Sequence, residues 1–162
     1  MGTDYLSMYG YNVNFKTAEE VADTMTDVIL ELDGAWGQIK NVIEEEDLGL
    51  NDKKKENFSN FAEDMRVRCG AALTRVNDIS SLDTLEENQM SLRNLLHHLQ
   101  ESEDRFTDIW KKYNVDNIKN GTDEVFNILG EVEGYRFCLE ELAYIKLDEE
   151  EYWKWDELNN EW

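Results

Sequence analysis

Proline occurs at none of the 162 positions. Average usage is about 5%, and in a helix interior the residue removes a backbone donor and clashes with the carbonyl one turn back. A chain of this length without it is free to run in long uninterrupted helices, and the fold class expected is all-α. The apolar spacing agrees. From Thr17, which with Glu20 has the form of a capping box, the residues Val21, Met25, Val28, Leu32, Ala35, Ile39 and Val42 recur at alternating steps of four and three, the seam of a supercoiled helix. This first helix is expected to reach about Glu46, with Gly34 and Gly37 marking a local bend or a close helix contact beside Trp36.

A connection at Asp47 to Asn51 leads to a second helix, capped by Asn51 and carrying Phe58, Phe61, Met65, Cys69, Ala72, Val76 and Ile79 on one face. Ser80 to Leu82 form a turn. A third helix carries Leu85, Leu92, Leu96, Leu99, Phe106, Trp110 and Tyr113 at heptad spacing, with polar Gln89 and Glu103 in the same seam; polar seam residues can fix register between helices. After residues 114–121, a cap at Thr122 opens a fourth helix with Ile128, Val132, Tyr135, Leu139 and Leu142 on one face. Four helices of roughly 26 to 31 residues, about 40 to 45 Å each at 1.5 Å per residue, predict an antiparallel bundle. Residues 1–16 read as a short extended flap on one end of it, 17–147 as the bundle and 148–162 as an acidic aromatic tail, all within one domain. Continued as helix, the tail places Tyr152, Trp155 and Trp162 near one face, with Trp153 and Glu150, Glu151 and Glu157 pointing elsewhere.

The hydrophobic share of 41% suffices for a core, and no stretch approaches the roughly 18 apolar residues of a membrane span. The opening lacks a basic start followed by an apolar run, so no secretory signal is read and a cytoplasmic location is expected. Cys69 and Cys138, the two cysteines, fit packed thiols in a reducing compartment.

The net charge is −21, from 37 acids and 16 bases, far beyond the magnitude of about 2 to 8 that keeps a small domain soluble. It is polarised along the chain. Residues 1–50 hold 11 acids and 2 bases, and 121–162 hold 13 and 3, whereas 51–82 hold 5 and 6. On the first helix Glu20, Asp23, Asp27 and Glu31 stack on one face with no Lys or Arg at the pairing positions. Like charges one turn apart destabilise a helix. Duplex DNA sets one phosphate per roughly 3.4 Å on each strand, so a carboxylate stripe can present a similar field to a groove built for nucleic acid. In a simple bundle the first and last helices are neighbours, which would join their acids into one wall.

Catalytic chemistry has little to stand on here. Neither His97 nor His98 has a Glu three residues before it, as a bundle di-iron site requires, and His97 with Glu101 reads as a surface pair. Residues 116–127 imitate a calcium loop but place Ile118 and Asn127 at ligand positions. No phosphate-binding loop, dinucleotide fingerprint, nucleophile elbow or zinc-helix motif occurs. The chain is therefore expected not to be an enzyme and to need no cofactor or metal. The basic cluster Lys53, Lys54, Lys55, Arg66, Arg68 and Arg75 would have to overcome the overall negative field to hold DNA, so direct nucleic-acid binding is not expected.

The acidic stripes, the small size and the Trp-rich acidic tail resemble the DNA-mimic inhibitors of phages and mobile elements, among them anti-restriction and anti-CRISPR proteins. Leu6 to Val13, LSMYGYNV, is similar to the starts of small phage-borne proteins of Gram-positive bacteria. The resemblance implies an inhibitor acting in the bacterial cytoplasm on a basic nucleic-acid-binding protein, such as a host defence nuclease. Its contacts would come from Glu20, Asp23, Asp27, Glu31, Glu150, Glu151, Trp153 and Glu157. An immunity or antitoxin-type protein that neutralises a basic toxin by packing, and a helical adaptor module, remain alternatives, and a homodimer stays open.

Overall fold

The structure, a computed structural model, describes residues 3–46, 48–114 and 121–147. Among them are five helices and no strand: α1 Asp4–Met8, α2 Ala18–Glu45, α3 Asp52–Val76, α4 Leu82–Tyr113 and α5 Glu124–Ala143. Side-chain caps start the four long ones. The Thr17 hydroxyl accepts from Glu20 N–H at 3.1 Å, Asn51 accepts from Lys54 N–H at 2.8 Å, and Ser81 and Thr84 form a reciprocal capping box. Glu20 departs from the box form, because its carboxylate accepts from Lys16 N–H at 3.3 Å.

The long helices form an all-α bundle in which α2 packs on α3 and α5, and α4 on α5 and α3. The first and last long helices are thus neighbours. Trp36, Phe106 and Trp110 are the largest fully buried side chains, and edge-on ring contacts join them across α2, α3 and α4: Trp36 to Phe106 at 5.4 Å, Phe58 to Phe106 at 5.3 Å and Phe58 to Trp110 at 5.1 Å. The α2 seam is buried except for half-buried Val42, where Ile43 takes the inward place. Helix α2 passes both internal glycines unbroken, and the Arg66 guanidinium lies over Gly37, where a methyl would meet it at 3.4 Å.

Four expectations need correction. The fourth helix has 20 residues, about 30 Å, and is shorter than its partners. Its cap is Asp123, whose carboxylate accepts from Phe126 N–H at 2.8 Å, one residue after Thr122. It ends at Ala143, with Tyr144 as its C-cap and no helix over 145–147: Gln89 Nε2 donates to the Leu142 and Ile145 carbonyls at 2.9 and 2.7 Å, and Arg93 Nε to Ala143 O at 3.0 Å. Side chains from α4 therefore take the carbonyls that a further turn would use. The N-terminal flap is not extended throughout, since its first part is the short helix α1.

That flap lies along α5. Glu141 near the end of α5 accepts from the Tyr5 and Leu6 N–H groups at 3.2 and 2.8 Å, Leu6 is fully buried, and Tyr5 stacks on Phe137 at 4.6 Å. Tyr9 lies directly on Gly134, where an added methyl would clash with its hydroxyl. Covered by α1 and held between α2 and α4, helix α5 is buried on more sides than its single apolar face implied.

Candidate partner-binding surface

The acids of this chain divide into those the fold consumes and those it leaves facing outward. On the side of α2 that meets α3, charges are paired: Lys40 Nζ to Glu63 at 2.9 Å and Arg66 Nε to Asp33 at 3.2 Å. On its other side Asp23, Asp27 and Glu31 are exposed, and among the described residues no ion pair includes them. Glu20, the fourth member of the stripe, is half-buried and held at the helix start. Helix α5 adds exposed Glu124, Glu131 and Glu133.

Because α2 and α5 are adjacent, the two sets meet. The charges of Glu31 and Glu131 act on the half-buried Tyr135 phenol of α5; burial first, then these two carboxylates, push the phenol's pKa up. Tyr11 of the flap is pushed up to about 12 by burial, with Glu31 and Asp27 adding to it, and Tyr9 is raised by burial and by Glu131 and Glu133. At the far end of the seam the neighbouring Glu124 carboxyl raises the Glu46 carboxyl above its usual range. From Glu20 to Glu46 the surface spans about 40 Å at 1.5 Å per residue. Carboxylates from both helices line it, with the rings of Tyr11 and Tyr135 between them. Glu150, Glu151, Trp153 and Glu157 lie outside the described residues.

Other acids are internal: Glu103 stands in the α4 seam where the spacing put it, but its partner Arg136 and the buried place of Asp123 were not expected. Arg136 is buried between Glu103 on α4 and Glu140 one turn along α5, at 2.9 Å from each. Asp123 accepts the Trp110 indole N–H at 3.0 to 3.1 Å as well as capping α5. The signal was present: Glu103 stands at a seam position of its helix, and a charge in a seam calls for a partner opposite.

His97 and Glu101 make an exposed pair at 3.1 Å. Among the described residues no group of three or more His, Cys, Asp or Glu side chains could hold a metal ion. Burial pushes the Cys69 and Cys138 thiols up to about 12, far from the thiolate that reactive chemistry needs. No described helix is long and apolar enough to cross a membrane. Compared with known proteins, the chain matches no protein-family model, no curated protein and no solved structure.

Proposed function

We propose that this protein is an acidic inhibitor that occupies the nucleic-acid groove of a basic protein, such as a defence nuclease, inside the bacterial cytoplasm. One observation carries the reading: two neighbouring helices present outward carboxylates, and the stripe Asp23, Asp27 and Glu31 has no ion-pair partner among the described residues. A face with only a structural role would gain by alternating sign, as α2 does toward α3. Unpaired carboxylates keep their charge available for Arg and Lys of a partner, and bonds of that kind are among the stronger ones in proteins. Blocking needs no catalytic group, cofactor or metal.

The test is retention and competition. The full chain, immobilised, should retain nucleic-acid-binding proteins from a bacterial lysate and release them when nonspecific duplex DNA is added. Asp23→Lys, Asp27→Lys and Glu31→Lys together should abolish retention while helical circular dichroism is unchanged; Glu20 is left in place because it holds the helix start. Equal retention by wild type and the triple variant would remove α2 from the interface. A second reading, neutralisation of a basic toxin by packing, draws on Tyr9, Tyr11 and Tyr135 beside the acids, since rings are enriched in protein interfaces. A partner that duplex DNA does not displace would favour it.

A further inference from the structure

Where α3 begins and α4 ends, a half-open cavity of about 430 Å³ lies between the two helices. Its floor is Phe58, Phe61 and Phe106, and its outer wall is Ile109 and Tyr113, both of which stay exposed although large and apolar. Its polar lining residues are Lys53, Lys54 and two asparagines, all from the start of α3. The Lys54 amine stands 4.1 Å over the Tyr113 ring, which holds it at the mouth. In a chain with 37 acids and 16 bases, none of the described residues lining this cavity is acidic and two are lysines. Its sign is thus opposite to that of the α2–α5 surface.

Ligand sites are cavities of roughly 300 to 1,000 Å³ with mostly apolar and aromatic walls and a few polar groups that fix orientation. This one is lined mostly by rings and carries two lysines from the start of α3, a combination that fits an amphiphile with an anionic head. An extended peptide needs a row of spaced pockets, whereas this is one compact cavity. We propose that the cavity binds a free amphipathic carboxylate, a medium-chain fatty acid or an arylalkanoic acid. Its apolar body lies on Phe58, Phe61 and Phe106 and its carboxylate is held by Lys53 and Lys54. The site shares no residue with the acidic surface.

Dodecanoate below its micelle concentration is titrated into the full isotope-labelled chain and followed by NMR, with dodecanol as the uncharged control. The expected result is one saturable site, with shifts concentrated at Phe58, Phe61, Ile109 and Tyr113. Lys53→Gln with Lys54→Gln should weaken dodecanoate about tenfold or more, equivalent to about 1.4 kcal/mol, and leave dodecanol unchanged. Ile109→Trp, at an exposed position, should fill the cavity and prevent binding without loss of helical signal. Four results overturn the proposal: no saturable shift, shifts spread over other faces, equal weakening of both ligands by the lysine variant, or a synthetic peptide of Asp148 to Trp162 saturating the cavity when dodecanoate does not.

Discussion

Arg136 shows what a single buried charge asks of its surroundings. Its side chain is 4% exposed and is answered by Glu103 and Glu140, because an ion taken out of water without partners costs several kcal/mol. Glu103 bears part of that cost. Burial pushes its carboxyl up to about 7, outweighing the attraction of Arg136. Between its ordinary value of 4.5 and about 7 the folded chain therefore keeps a proton that the unfolded chain has released. Linkage then makes stability fall as pH rises through that window and level off above it. Thermal midpoints measured from about pH 5 to about pH 8 should decline in wild type, and Glu103→Gln, which cannot ionise, should show a smaller decline. Parallel profiles for the two proteins would show that Glu103 is ionised throughout. Gln89 is the neutral counterpart: in the same α4 seam, its amide donates to Leu142 O at the end of α5 and to Ile145 O just past it, so both polar seam residues tie α4 to the same neighbour.

Among the elements, α5 depends most on its neighbours. Its start is set by Asp123, which serves Phe126 N–H and the buried Trp110 indole together. Asp123→Ala should cost about 2 to 4 kcal/mol, of which a lost cap is about 1 and an unsatisfied buried donor about 1 to 3. Asp123→Asn keeps one oxygen for both donors but sets its amide NH2 against the Trp110 indole N–H, so it should recover only part of that stability. Urea unfolding with an unchanged m-value checks the comparison, and equal loss in both variants would mean that the carboxylate charge matters more than the hydrogen bonds. The caps Thr17 and Asn51 were legible, Thr17 from the capping-box form it makes with Glu20 and Asn51 from its place at the end of a connection, whereas Ser81 was read only as part of a turn. Thr122 and Asp123 are both cap-competent and adjacent, and the Trp110 indole, 13 residues away in sequence, is what favours the second.

For the molecule as a whole, the adjacency of α2 and α5 concentrates negative charge that the sequence had placed at opposite ends of the chain. Added salt screens this repulsion and also weakens the surface pairs Lys40–Glu63 and Arg66–Asp33. Such pairs contribute only about 0.2 to 1 kcal/mol each, against a net charge of −21, so relief of repulsion should prevail. The thermal midpoint should rise between low ionic strength and about 0.15 M, where the Debye length is about 8 Å. A midpoint that stays level or falls would indicate that the outward acids are too far apart to repel.

The sequence by itself determined the class of fold and two of the four long-helix caps, Thr17 and Asn51, since these rest on local physics: absent proline, alternating apolar steps of three and four, and hydroxyl or amide caps. It also placed Asp23, Asp27 and Glu31 on one outward helical face, because spacing along a helix fixes direction. It did not decide where α5 ends, that the flap begins as a helix, or that Arg136 is buried, because each depends on contacts between distant positions, Gln89 and Arg93 with the end of α5, Glu141 with Leu6, Glu103 with Arg136. Nor could composition separate the acids that the fold consumes from those it leaves outward. A carboxylate is alike in sequence whether it caps a buried helix start, as Asp123 does, or faces water, as Asp27 does, and only the packed neighbours make the difference.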